Sequence, residues 1–88
     1  MKYKILNDII DSEIGDSFYL LNINTGKYLK LNTSGMYIFN LLKETNDSDF
    51  IIYRIIQEFN LTKDQAKEDF YLFTSLATKL GIIKTLDD

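Results

Sequence analysis

The chain has no cysteine and no histidine among its 88 residues. Disulfides are thereby excluded, as are metal sites built on thiolate or imidazole. So is every nucleophilic or general-base mechanism that needs those side chains. Carboxylates remain as ligands for a hard cation, but no Asp-rich loop has the spacing of an EF-hand, and no glycine-rich phosphate loop occurs. Positive charge is short as well. Ten Lys and Arg stand against thirteen Asp and Glu, a formal net charge of −3, and both signs are scattered along the chain. A duplex-binding domain draws much of its affinity from neutralising phosphates and carries a basic stripe; none is present. No apolar run approaches the roughly 20 residues of a membrane span, and Met1-Lys2-Tyr3-Lys4 lacks the following apolar block of a signal peptide. A soluble cytoplasmic protein without metal or cofactor is the expectation.

What the chain does hold is material for a core. Hydrophobic residues make up 45 % of it, and six Phe and six Tyr let few residues bury much area. Intrinsic disorder is excluded on that composition. A chain of this size buries only about 60–65 % of the surface its unfolded form exposes, so the core is modest. One domain over residues 1–88 is expected.

The stretch from Gly26 to Leu42 organises the rest. Its first part alternates, with Leu29 and Leu31 on one face and Tyr28 and Lys30 on the other, as a half-buried strand requires. At Asn32 the period changes. Met36, Phe39 and Leu42, with Ile38 and Leu41 beside them, recur at helical steps. Asn32 or Thr33 stands where an N-cap belongs, so Asn32 has a structural role.

The remaining elements follow in order. A short strand is expected near 8–12, then a turn at Gly15-Asp16, then a second strand over 17–23. Asn24-Thr25-Gly26 fits a three-residue hairpin loop with Gly26 left-handed, leading into a third strand, Lys27 to Leu31. Pairing Ile23 with Lys27 sets Leu21 opposite Leu29 and Tyr19 opposite Leu31. Those residues then face the core, and Phe18, Leu20 and Tyr28 lie on the other side. Helices are expected over 34–43, from an Asp47 or Ser48 cap to Phe59, and from Thr62 to Leu80. Thr62-Lys63-Asp64-Gln65 reads as a capping box. Gly81 serves as a left-handed C-cap after Lys79, whose charge suits the helix end. Ile82-Ile83 folds back onto the core; residues 1–7 carry weak signals. Strands grouped before helices give an α+β fold, a three-stranded antiparallel sheet followed by three helices, of winged helix-turn-helix shape.

The order Gly-Lys-Tyr-x-x-Leu-Asn-x-x-Gly-x-x-Ile, from Gly26 to Ile38, resembles the PqqD-like family of small peptide chaperones, also called RiPP precursor-peptide recognition elements. Glu13-Ile14-Gly15-Asp16 upstream and Asp69-Phe70-x-x-Phe73 closing at Gly81-Ile82 are similar to that family's pattern too. The chain departs from it at Glu44-Thr45-Asn46-Asp47, where many members have an acidic-Gly pair. The resemblance implies a standalone, non-enzymatic domain that takes an extended leader peptide as an added strand beside the third strand, against the third helix. It also implies a separate modifying enzyme to which the peptide is presented: a radical-SAM maturase, a cyclase or a protease of the lasso type.

On that reading the receiving strand is Lys27, Tyr28, Leu29, Lys30 and Leu31. On the third helix, Ala66, Phe70, Phe73, Ala77 and Leu80 form a core stripe. Leu72 and Leu76, with Asp69, flank it on one side; Lys67, Tyr71, Thr74 and Thr78 flank it on the other. The first flank is the more apolar. It makes Leu72 and Leu76 the candidate groove floor, with Phe73 beneath. Lys27 and Lys30 are candidates to pair with acidic residues of a leader, Tyr28 to stack against a leader side chain and Asp69 to bond a peptide amide. Each candidate also has a bland reading. Leu72 and Leu76 extend the core equally well, Lys27 and Lys30 serve as solvated edge lysines, Tyr28 serves as a cross-strand neighbour of Leu20, and Asp69 sits near a helix start. Two other functions compete with peptide binding. A winged-helix DNA-binding regulator suits the topology but not the acids Asp64, Glu68 and Asp69 on the third helix. A small enzyme lacks a site motif. An open sheet edge suits a monomer or a weak homodimer.

Overall fold

Turn chemistry and alternation build the first part of the chain in the computed structural model, which describes residues 2–86. β1 (Lys2–Ile5) is followed by β2 (Ile9–Ile14), β3 (Ser17–Asn22) and β4 (Tyr28–Leu31), then α1 (Thr33–Leu42), α2 (Ser48–Phe59), α3 (Lys63–Lys79) and β5 (Ile83–Leu86). β2, β3 and β4 form an antiparallel sheet in that order, and β1 pairs with β5 in a second, two-stranded sheet. The α+β expectation therefore holds, with the sheet of three strands ahead of three helices. The winged helix-turn-helix description is approximate, since the three-stranded sheet precedes the helices and only β5 follows α3.

Each helix begins where its cap chemistry puts it. Asn32 Oδ1 accepts from the Gly35 amide at 2.7 Å, so Asn32, not Thr33, is the N-cap of α1. Asp47 Oδ1 accepts from the amides of Asp49 (3.1 Å) and Phe50 (3.3 Å) and caps α2. The Thr62 hydroxyl accepts from the Gln65 amide (3.1 Å), and Gln65 Oε1 accepts from the Thr62 amide (3.0 Å), closing the capping box of α3. At the far end Gly81, at φ +72°, takes the left-handed conformation that stops α3.

One core joins both sheets to the helices. Leu20, Ile38, Ile51, Ile55, Phe70 and Ile82 are fully buried, and each contributes about 1.5–3 kcal/mol by leaving water. Tyr3 of β1 packs edge-on against Phe70, with ring centroids 5.8 Å apart. The terminal strands thus cover α3 rather than extending the main sheet. Ile82 and Ile83 do fold back onto the core.

The register of the central hairpin departs from the expected one by a residue. β3 and β4 pair as Phe18 with Leu31, Leu20 with Leu29 and Leu21 with Tyr28. A one-residue slip exchanges the two faces of a strand. Leu20 and Asn22 of β3 are accordingly buried, and half-buried Phe18 packs against the core beside them. Tyr19, Leu21 and Tyr28 share the outer face, and Ile23 is half exposed in the loop. The cause is a four-residue loop, 23–26, in place of a three-residue one. The Asn22 amide donates to the Lys27 carbonyl (2.9 Å), and the Gly26 amide donates to the Asn22 carbonyl (2.8 Å). Asn22 itself faces inward because both ends of its side-chain amide find partners there. Its Nδ2 donates to the Gly81 carbonyl (2.7 Å), and its Oδ1 accepts from the amides of Asn24 (2.9 Å) and Thr25 (3.2 Å).

A groove between the free strand edge and the third helix

β4 is an edge strand whose partner lies on one side only. Which of its amides are free follows from the ladder. In an antiparallel pair, hydrogen-bonded and non-hydrogen-bonded residue pairs alternate. The Asn22–Lys27 bond marks that pair as hydrogen-bonded, so Leu20–Leu29 and Phe18–Leu31 are too. The amides and carbonyls of Tyr28 and Lys30 therefore point away from β3, toward open space. Those of Leu29 point into the sheet.

α3 runs back along this edge. Asn22, opposite Lys27 at the start of β4, is tied to Gly81 just beyond the C-terminal end of α3. Past the other end of β4, a Cβ added to Gly35 would lie 3.6 Å from the Phe73 ring, 3.1 Å from Asn32 Oδ1 and 3.2 Å from Leu31 Cδ2. Between strand and helix lies a mainly apolar groove of 350 Å³.

Of the residues singled out in the sequence, seven line it. Leu29 and Leu31 face it from β4, half-buried and buried. Leu72 and Leu76 form the helix wall, 62 % and 42 % exposed, so neither is a core residue. Phe73 lies buried beneath them. Lys30 stands on the strand rim and half-buried Asp69 on the helix rim. Lys27 and Tyr28 do not line it. Lys27 sits where the hairpin loop ends. Tyr28 lies on the opposite face of the sheet across from Leu21, its ring tilted against Tyr19 at 6.1 Å.

Asn32, Ser34 and Gly35 complete one end of the groove, and the sequence reading gave none of them that role. Gly35 carried the usable signal. It sits in the first turn of α1 with no need for positive φ, and a glycine in ordinary helical backbone marks a close approach by a neighbour. On the other flank of α3 the expectation for Thr74 fails. Its side chain is buried and its hydroxyl donates to the Tyr71 carbonyl (3.3 Å), a local bond that lets a polar residue enter a helix interface.

The electrostatics of the groove are simple. Lys30 and Asp69 have no ion pair or hydrogen-bonded side chain among the described residues, where Lys43 with Asp11 (3.2 Å) is the only ion pair. No group of acidic side chains suited to hold a metal ion occurs among the described residues, and no helix there is long and apolar enough to cross a membrane. An extended chain fits such a place: it finds unpaired backbone groups on one side and apolar pockets for every second side chain on the other.

Residues 18–83 match the family described as Coenzyme PQQ synthesis protein D (PqqD). The fold is similar to that of TbiB1 in complex with the TbiA(beta) leader peptide. That similarity has a TM-score of 0.82 and 25 % sequence identity over 97 % of this chain and 99 % of the other. It is also similar to lasso peptide synthetase B1 complexed with the leader peptide, with a TM-score of 0.82 and 15 % identity over 97 % of this chain and 100 % of the other. No curated protein matches the sequence.

Proposed function

The chain belongs to the PqqD family, and we propose that it binds the leader segment of a ribosomally made precursor peptide as a strand added to β4. The bound peptide is then presented to a separate modifying enzyme. The observation that carries this reading is the pairing of outward-facing amides at Tyr28 and Lys30 with the exposed wall of Leu72 and Leu76. Backbone hydrogen bonds supply affinity, and pockets for alternate side chains supply selectivity. TbiB1, similar over nearly its whole length, is seen with a leader peptide, which supports the same use of the fold here.

The role is non-catalytic. Holding the leader raises the effective concentration of the attached core segment at an enzyme that recognises the pair. That enzyme is of the class that acts on such precursors: a radical-SAM maturase, a cyclase or a protease. The domain, residues 1–88, works as a single unit in this scheme.

Fluorescence anisotropy with two labelled ligands tests it. One ligand is the leader half of a short precursor peptide encoded beside the gene; the other is a random DNA duplex at physiological salt. Saturable binding of the leader and none of the duplex is the expected result. Binding of the duplex alone would replace this reading with that of a DNA-binding regulator.

A further inference from the structure

The two groove charges that have no ion pair among the described residues lie on different faces of any strand added to β4. Lys30 alternates with Leu29 and Leu31, so its side chain belongs to the outer face of the sheet, beside Tyr19 across the strand. Asp69 lines the groove from α3, on the helix side that Leu29 and Leu31 face. Because the Lys30 amide and carbonyl both face the free edge, the residue directly opposite in a strand added antiparallel to β4 exchanges both backbone bonds with it. Its Cα then lies about 5.5 Å from that of Lys30, and its side chain shares the outer face with the lysine. The residues before and after it turn inward, among Leu29, Leu31, Leu72 and Leu76.

We infer that Lys30 and Asp69 together select an acidic residue flanked by two apolar ones, and so fix the register of the bound leader. This rests on the proposed groove reading. An acid opposite Lys30 gains a cross-strand partner, strengthening binding about two- to fivefold, with the salt sensitivity of an exposed pair. A slip of one residue would turn that acid into the apolar groove, on the side of the Asp69 carboxylate, where it meets a like charge and no cationic partner. Burying an unpaired carboxylate is disfavoured by roughly tenfold or more. The same slip would turn both apolar anchors out to solvent. One charge attracts on the outside and the other repels on the inside. Neither could set the register alone, because a lone exposed lysine tolerates neighbouring positions. The ligand class is thus an extended peptide of pattern apolar-acidic-apolar. A neutral or basic residue is tolerated inward at the Asp69 end.

The test uses a randomised dodecapeptide display library selected on four forms of the intact chain: unaltered, Lys30→Glu, Asp69→Asn, and Leu76→Glu as the groove-blocked control. Circular dichroism checks that each form folds. The unaltered chain should enrich Asp or Glu between two apolar residues. Lys30→Glu should exchange that acid for Lys or Arg at the same position. Asp69→Asn should keep the outer preference while admitting acids inward. The enriched peptide, synthesised with its acid or with Lys in its place, should then show the two- to fivefold preference by anisotropy, reversed by Lys30→Glu and reduced by salt. Enriched peptides whose charges ignore Lys30→Glu would overturn the register filter while leaving the groove in place. No enrichment above the Leu76→Glu control would overturn the groove reading and the filter with it.

Discussion

Proline substitution along β4 distinguishes the two sides of the strand. Lys30→Pro deletes an amide that faces open space, so the β3–β4 ladder keeps all its bonds. Its folded-state penalty is the restriction of φ, about 1 kcal/mol or less at an unbonded edge position, and the melting temperature should move by about 8 °C or less. Leu29→Pro deletes an amide bonded to Leu20, and Leu20 is fully buried. The lost bond and the orphaned carbonyl cost about 2–4 kcal/mol together. Loss of Leu29 packing adds to this. At about 4–8 °C per kcal/mol for a domain of this size, a fall of about 8–32 °C follows from these terms alone. Binding should show the reverse order. Lys30→Pro removes a bond made only in the complex and leaves a peptide carbonyl unpaired, which weakens binding by roughly 5- to 150-fold. Lys30→Ala controls for the lost charge and should weaken it no more than about fivefold. Differential scanning fluorimetry and anisotropy with the leader peptide read the two effects. Lys30→Pro binding as tightly as Lys30→Ala would refute the added strand, and a normally stable Leu29→Pro would refute the register.

Leu76→Glu should weaken peptide binding at least about tenfold, by losing an apolar contact and placing a carboxylate in the groove; its melting temperature should stay within about 4 °C, since the side chain is 42 % exposed. Asn22→Ala strips partners from the Gly81 carbonyl and two loop amides, and denaturant unfolding should show a loss of about 2–4 kcal/mol. Thr62→Ala should lower stability by about 1 kcal/mol through loss of the capping box. Replacing both Asp11 and Glu13 by Val should produce concentration-dependent association in sedimentation velocity.

The helices were legible in the sequence because their signals are local. Asn32, Thr62-Gln65 and Gly81 act within one turn of their own positions, and each behaves as its residue type dictates. The hairpin register was not legible. In 18–23 both alternating sets are largely apolar. Ile23 favours one set, and a polar Asn22 argues against the other. What reverses the choice is a bond from Asn22 to Gly81, a residue beyond all three helices. The pairing of β1 with β5 is non-local in the same way. Each strand has four residues, too few to show a period, and each is defined only by the other. At the groove, periodicity correctly separated Leu72 and Leu76 from the buried stripe of Ala66, Phe70, Phe73 and Ala77. Strand alternation already put Tyr28 on the face away from Leu29 and Leu31. Tyr28 is accordingly absent from the groove, whereas Lys30, on the same face, reaches its rim.

A three-stranded sheet has two edges, and the chain treats them differently. On β2 the residues that face inward, across from Leu20 and Phe18, are Asp11 and Glu13. Inward-pointing charges on an edge strand are a device against adding another strand, since an incoming apolar side chain would meet a carboxylate. Asp11 is moreover held by Lys43 from the end of α1 (3.2 Å), an exposed pair of small energetic value that occupies the space beside that edge. On β4 the corresponding inward residues are Leu29 and Leu31, and α3 leaves a groove beside them. Were both edges merely unprotected, self-association through either would compete with any peptide. Were both protected, no strand could add. Charge on one edge and leucine on the other leave a single receptive side, and the exposed Leu72 and Leu76 lie along that side alone. This asymmetry is the physical reason to assign peptide binding to β4: a folding domain has little use for two solvated leucines beside an unpaired strand unless another chain covers them.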